Sequence, residues 1–203
     1  MIDARSAGGP VEATLVTVFR RLFENEFATL DGFAASCRAP DGMRYIDESV
    51  ALARMLVEED LAQPFVPSDP TMHALHAAMY AAWPDVQSVV SGWSRHLRAL
   101  MTEGFALPAP TSMMRKRGVS DLRAHLVEPG ALDAPQRDAT LARARETAVH
   151  NGMTHVLLVA SNGMVVVAAP KAEEAMAHWH NVEFSARVEC IRIEETAVHG
   201  LDG

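Results

Sequence analysis

The apolar positions of this chain follow a helical spacing near its N-terminus. Between Leu15 and Phe23, apolar residues recur at three- and four-residue steps, so they lie on one face of a helix. This spacing predicts a helix over 11–25. The segment 49–59 is also amphipathic and predicts a second helix, after which Pro64 and Pro67 favour a loop.

Two pairs of segments are typical of β-hairpins. The segments 33–38 and 43–46 flank a Pro-Asp-Gly turn, which predicts two short paired strands. The segments 154–160 and 164–169 are apolar at nearly every position and are joined by the turn 161–163, Ser-Asn-Gly. Because both faces of these later strands are apolar, we expect a buried sheet with helices on each side. The fold class predicted is α/β, with three αβα layers and a largely antiparallel or mixed sheet.

The remaining segments complete this alternation of helices and strands. Asp69 followed by Pro70 is a typical helix start, and the helix should end at Ala82, before the Trp-Pro pair. Residues 105–135 are rich in Pro and Gly and are predicted to be irregular. The other expected elements are a strand over 86–93 and helices over 94–104, 136–150 and 171–196.

Length and charge narrow the class of protein. With 203 residues and 49% hydrophobic content, the chain can bury one substantial core. We expect one domain over 11–198, with tails over 1–10 and 199–203. The net charge of −8 argues against nucleic-acid or anionic-membrane surfaces. The absence of a long apolar run and of a signal sequence favours a cytoplasmic protein without membrane segments, and Cys37 and Cys190 are expected to be free thiols.

Four local patterns, in this order, resemble the class II aldolase/adducin family over roughly 11–188. Ser36 and Arg38 match the end of an Asn-x-Ser-x-Arg strand, and His76 and Tyr80 match a His-x-x-x-Tyr helix. That helix runs into a Pro-Asp-x-x-x-Val-Val strand, matched here by 84–90. Two leucines precede a hairpin glycine, Gly163, and Glu183 lies in a last helix like that of the family.

The resemblance implies a zinc centre whose ligands this chain lacks. In the family, two histidines end the strand after Pro-Asp, and a third precedes the hairpin glycine. Three imidazoles leave a zinc ion with open positions at which it polarises a carbonyl. The matching residues here are Ser91, Trp93 and Asn162, the acid at the helix start is matched by Met72, and the anion-binding Asn is matched by Ala34. We therefore expect neither metal nor cofactor at this place.

Other side chains stay candidates for a site. His73, His76 and His96 are a conceivable replacement metal site, although lone helical histidine pairs are usually not ligands. His96 and Tyr80 are candidates for proton transfer. The expected ligand is a small anionic or carbonyl metabolite, with the candidate binding residues Arg38, Ser36, Thr71, Ser91, Trp93 and Asn162.

Three functions remain open at this point. The first is a non-catalytic binding or interaction member of the family. The second is a metal-independent lyase or decarboxylase acting on a small carbonyl acid, and the third is a divalent-metal aldolase. The resemblance further implies a homo-oligomer, a tetramer in family members.

Overall fold

The computed structural model describes Thr17 and residues 32–40, 42–47 and 69–199. The predicted helices over 11–25 and 49–59, and the loop with Pro64 and Pro67, lie outside these residues. In the described part of the chain, no helix combines the length and apolar character needed to cross a membrane.

The described strands form one mixed sheet of six strands, in the order β2-β1-β3-β6-β5-β4. All neighbours are antiparallel except β4 and β5, which are parallel. This arrangement confirms the predicted sheet, with both hairpins in place. The strands are β1 Ala34–Ala39, β2 Gly42–Asp47, β3 Ser88–Trp93, β4 Leu126–Val127, β5 Val156–Ala160 and β6 Met164–Ala169.

Helices cover both faces of this sheet and make the three predicted layers. Alternate residues of a strand point to opposite faces, so Val165 and Val167 belong to one apolar cluster and Val166 and Ala168 to another. We call the first face the α5 face and the second the α1 face, after the helices that cover them. Numbered over the described residues, the helices are α1 Pro70–Ala82, α2 Arg95–Thr102, α3 Ser112–Lys116, α4 Ala134–His150 and α5 Ala172–His199.

Helix α1 begins and ends as its sequence predicts. The carboxylate of Asp69 accepts hydrogen bonds from the backbone N–H groups of Thr71 and Met72 at 2.9 and 3.0 Å, which caps the first turn. The helix ends at Ala82 because the following Trp83 is extended ahead of a proline. The start and direction of the helix are therefore set locally.

The region 105–135 is more ordered than its composition predicts. It contains α3, two short 3-10 helices and the parallel strand β4. The prediction of an irregular segment is wrong here, because tertiary pairing with β5 orders a sequence that has no periodic pattern of its own. Strand β3 begins two residues later than expected, since the N–H of Val86 closes a turn onto the carbonyl of Trp83.

The turn between β5 and β6 depends on glycine for two reasons. Gly163 has a φ of +89°, which favours glycine. A Cβ atom there would lie 2.7 Å from Cα of Arg98, so the turn packs directly on the backbone of α2. The Ser94 N–H also donates to the carbonyl of Gly163 at 3.0 Å. This contact fixes the end of β3 beside the turn 161–163.

A stacked pair of buried histidines joins the residue before β5 to α5. The ring centres of His155 and His178 lie 3.4 Å apart, with 17° between the ring planes, and Arg117 Nη1 donates to His178 Nε2 at 3.3 Å.

The buried histidines of this region have lowered pKa values. Burial, with His178, His125 and Arg117 nearby, lowers the pKa of His155 to about 3. Burial and Arg117 lower the pKa of His178 to about 4. Burial also lowers the pKa of His125, with the backbone of Leu157 and Asp121 opposing the change. These imidazoles are therefore neutral in the folded protein at neutral pH.

This stack predicts loss of stability in acid. A histidine whose folded pKa lies below 6.5 stabilises fully above pH 6.5, and that stability is lost as the pH falls toward its folded pKa. One such residue lowers the free energy of unfolding by about 2 kcal/mol between about pH 7.5 and pH 5. We expect His155→Phe, which keeps a stacked ring, to reduce the acid loss by that amount in urea titrations at both pH values.

The neighbouring exposed Thr154 supplies the control. Thr154→Ala should keep the whole acid loss because it removes no titrating group. Equal acid sensitivity of His155→Phe and the unchanged protein would contradict this account.

Candidate functional site

A buried imidazole links α1 to the middle of the sheet. His76 is fully buried, and its Nδ1 lies 2.8 Å from Ser36 Oγ. Its Nε2 lies 2.8 Å from Ser91 Oγ. The hydroxyl of Tyr80 lies 3.0 Å from the same Ser36 Oγ. Four of the side chains named from the sequence are therefore brought into one network, which we call the His76 network.

Local structure explains how these four side chains meet. His76 and Tyr80 are four residues apart on α1, so they share the helix face that packs on the sheet. On the sheet, β1 and β3 are neighbours in which Ala34 pairs with Ser91. Ser36 and Ser91 therefore point to the same α1 face from adjacent strands. One imidazole can then bridge two hydroxyls that are 55 residues apart in sequence.

The network is uncharged. Burial, with a smaller contribution from His73, lowers the pKa of His76 to about 3. A neutral imidazole has one donor and one acceptor nitrogen, which suits two hydroxyls that can each give or take a hydrogen bond. Burial also raises the pKa of Tyr80, with opposing contributions from Ser36 and Arg38. Both groups keep these protonation states near neutral pH, so the network acts as a structural link.

Arg38 caps the C-terminal end of α1. Its Nη2 donates to the carbonyls of Tyr80 and Trp83 at 2.8 and 3.2 Å, and its Nε donates to the carbonyl of Val86 at 3.1 Å. Its guanidinium also lies 4.9 Å from the centre of the Tyr80 ring. The Tyr80 carbonyl lies in the last turn of the helix and the other two follow it, so none of the three has a partner within the helix. The anion-binding role expected for Arg38 stays a prediction, whereas its contacts within the chain are structural.

The three positions that match zinc ligands in the family carry other contacts. The Ser91 hydroxyl is held by His76 in the buried network. Trp93 ends β3 on the same face as Ser91, pairs with Met164, and is partly buried. Asn162 Oδ1 accepts the N–H of Met164 at 3.2 Å and so shapes the turn. Each residue has a role in packing or in the hairpin.

Trp93 is fixed by a close contact with Gly32. A Cβ atom at Gly32 would overlap Trp93 Nε1, so the indole packs directly on that backbone. The Arg98 guanidinium also lies over the Trp93 ring, 5.5 Å from the ring centre. Neither Gly32 nor Arg98 was found from the sequence, since no pattern links them to Trp93.

These residues do not fit a zinc ion. Imidazole, thiolate and carboxylate are the side chains that bind zinc, and a hydroxyl, an indole and an amide replace the imidazoles here. Within 32–40, 42–47 and 69–199, no group of three or more His, Cys, Asp or Glu side chains is arranged to hold a metal.

The replacement set of His73, His76 and His96 is not brought together. Both ring nitrogens of His76 are bonded to Ser36 and Ser91, and His96 packs with α5 on the opposite face. The sequence could not show this separation, because β3 lies between the two helices that carry these histidines.

A second polar cluster lies under α5. Glu183 is 3% exposed, and its carboxylate accepts hydrogen bonds from Ser94 Oγ and from His96 Nδ1, the latter at 2.5 Å. Ser94 Oγ also caps α2 by accepting the N–H of Leu97 at 3.1 Å. His96 is 26% exposed, so its ring reaches the surface while a buried carboxylate orients it. His96 and Tyr80 therefore occupy different layers.

Thr71 and Met72 stand apart from both clusters. Thr71 is exposed in the first turn of α1, where its N–H donates to Asp69. Met72, at the position of the family's acid, is buried in the apolar cluster of the α1 face. A thioether there cannot transfer protons.

Removing the central imidazole should strongly destabilise the fold. His76→Ala leaves a cavity and two buried hydroxyls without their partner, and we expect a loss of about 4 kcal/mol in the free energy of unfolding. Ser36→Ala and Ser91→Ala should each cost about 1 to 2 kcal/mol, and their effects should not add because both hold the same ring. Urea denaturation of the single and double variants measures this.

The exposed neighbour Ala77 provides the control, since Ala77→Ser should change stability by less than about 0.5 kcal/mol. Additive effects of the two serine substitutions would contradict a shared imidazole.

Solved structures with the same fold include aldolases. An L-fuculose 1-phosphate aldolase matches with a TM-score of 0.62 and 19% identity, covering 95% of this chain and 90% of its own. The L-fuculose-1-phosphate aldolase from Thermus thermophilus matches with a TM-score of 0.65 and 16% identity, covering 92% and 96%. A sugar-phosphate aldolase from Thermotoga maritima gives 0.60 and 15%, covering 92% and 97%. At these identities the likeness shows the fold alone.

Comparison of sequences identifies the family. No curated protein matches the chain. The model of the class II aldolase and adducin N-terminal domain, however, matches residues 13–190, which is most of its length. The chain belongs to the class II aldolase and adducin N-terminal domain family.

Proposed function

We propose that this protein is a non-catalytic binding member of its family that works without a zinc centre. The observation that carries the proposal is the set of contacts made by Ser91, Trp93 and Asn162. A hydroxyl bonded to His76, an indole packed on Gly32 and an amide bonded to its own turn all serve the fold. Zinc would need donors that these side chains do not have.

The change extends beyond one ligand, which supports a lost activity. The position of the acid holds the buried Met72, and the position of the anion-binding Asn holds the buried Ala34. Metal-assisted aldol chemistry needs both a Lewis acid and a proton carrier near the same carbonyl. Loss of both removes the chemistry, while the scaffold residues Ser36, His76 and Tyr80 still bond to one another.

Metal content and turnover test this proposal together. Protein expressed with added zinc should carry far less than one zinc per chain by elemental analysis. It should not cleave L-fuculose 1-phosphate, the substrate in the names of two structural neighbours. The Thermus thermophilus enzyme, purified and assayed in parallel, is the positive control. One zinc per chain together with zinc-dependent cleavage would contradict the proposal and favour a divalent-metal aldolase.

A metal-independent lyase or decarboxylase is the second candidate. The observation in its favour is His96, a partly exposed imidazole that the buried Glu183 orients through Nδ1. Such a pair suits proton transfer at the outer ring nitrogen. Zinc-free turnover of a small carbonyl acid that is lost in His96→Gln would select this candidate over the non-catalytic one.

We also propose that the protein assembles with further copies of itself, as the family resemblance leads us to expect, and that it does so in the cytoplasm. An apolar stripe on α5 supports the assembly: Phe184, Val188 and Ile191 are 46%, 48% and 45% exposed, at steps of four and three residues. The stripe fits a second copy because two antiparallel α5 helices would place Phe184 against Ile191.

A charge in the middle of this stripe should disrupt the assembly. We expect the unchanged protein to be an oligomer by size-exclusion chromatography with light scattering. Val188→Glu should give monomers because burying a carboxylate between Phe184 and Ile191 is costly in an apolar contact. Glu173→Gln, an exposed substitution at the start of α5, should leave the oligomer intact. A monomeric unchanged protein, or an oligomeric Val188→Glu variant, would contradict this surface.

A further inference from the structure

Arg98 carries a charge that no described side chain neutralises. It is exposed on α2, and no ion pair joins it to a carboxylate of the described residues. The chain has 26 acidic and only 18 basic residues, so an exposed arginine without a carboxylate partner is unexpected. The first turn of α2 also contains no acidic residue. Within 32–40, 42–47 and 69–199, no carboxylate therefore competes with an anion for this guanidinium.

The Trp93 ring fixes where that charge lies. The guanidinium lies 5.5 Å from the ring centre, and the indole itself packs against the backbone of Gly32. A guanidinium that lies over an aromatic ring makes this contact without using its N–H groups, so a carboxylate or phosphoryl group can accept two of them.

The turn 161–163 supplies a second set of donors next to the backbone of Arg98. The backbone of Arg98 packs on Gly163, since a Cβ atom at Gly163 would lie only 2.7 Å from Cα of Arg98. Asn162, the preceding residue, uses Oδ1 to accept from Met164. The Asn162 Nδ2 group donates to no acceptor among the described residues, which leaves its two N–H donors for a ligand.

We propose that Arg98, Trp93 and Asn162 form a binding site for a small oxyanion, either a carboxylate or a phosphoryl group. The site rests on the proposed function, because it gives a binding member of the family a ligand class. It lies at the end of β3 and the adjoining turn, where the resemblance places the zinc ligands. A fixed guanidinium there supplies positive charge without a metal. A bidentate arginine contact and an amide donor suit an oxyanion and discriminate against uncharged analogues.

Tryptophan fluorescence of the full chain tests this site. Trp83 and Trp179 are 1% and 0% exposed, so acrylamide quenching reports mainly on Trp93. We expect pyruvate or inorganic phosphate to protect this signal saturably, and uncharged pyruvamide to have no effect. Tighter binding of pyruvate assigns a carboxylate ligand, and tighter binding of phosphate assigns a phosphoryl ligand. A failure of both anions to give saturable protection, or an equal response to pyruvamide, would overturn the proposal.

Variants on α2 separate a specific site from general charge. Arg98→Gln should weaken binding at least tenfold, and Arg98→Lys, which keeps the charge but not the fork of N–H groups, should weaken it less. Arg95→Gln is the matched control, an exposed arginine on the same helix, and should change binding less than twofold. Equal weakening by Arg95→Gln and Arg98→Gln would overturn the proposal. Circular dichroism establishes that each variant is folded before titration.

The outcome is independent of the zinc test. Metal content and cleavage of L-fuculose 1-phosphate do not involve Arg98. A negative anion titration with zinc-free, inactive protein therefore refutes this site alone, whereas stoichiometric zinc with zinc-dependent cleavage refutes the proposed function.

Discussion

The neutral imidazole of His76 is the contact on which the α1 face depends. It lies fully buried between a helix and two strands, and it bonds to a hydroxyl on each strand at 2.8 Å. A buried hydroxyl without a partner destabilises a fold, so both serines require this ring. Arg38 fixes the other end of the same helix by donating to three carbonyls. Together these contacts set the position of α1 over β1 and β3.

That constraint also bears on the chemistry of the chain. Ser91 stands where the family resemblance places a zinc ligand, and its hydroxyl is committed to His76. Trp93, two residues after Ser91 on the same face of β3, packs on Gly32, and the Arg98 guanidinium lies over its ring at the end of this strand. In our proposal, packing and the guanidinium of Arg98 take the place of a metal dication. In our account, the protein keeps the fold of an aldolase and a charge that can attract anions, without Lewis-acid chemistry.

Local patterns predicted most of the described fold and little of the site. The Asp69 cap, the Gly163 turn and the apolar strands carry their signals within a few residues, and each was confirmed. Strand β4 was missed because its order comes from pairing with β5. The contacts of the site join residues that are far apart in the chain or on different elements: His76 with its serines, Arg38 with the end of α1, and Arg98 with Trp93. The periodicity of apolar residues does not predict such contacts. The pairing of Ser94 and His96 with Glu183 is of the same kind, since 87 or more residues separate the partners.

The most direct test of the central claim is a crystal structure of the protein soaked in zinc, with anomalous diffraction recorded at the zinc edge. Our account predicts that His76 bridges Ser36 and Ser91 and that no anomalous peak lies beside Ser91, Trp93 or Asn162. A well-occupied zinc ion at that place, with the His76 ring turned from either serine to bind it, would contradict the account.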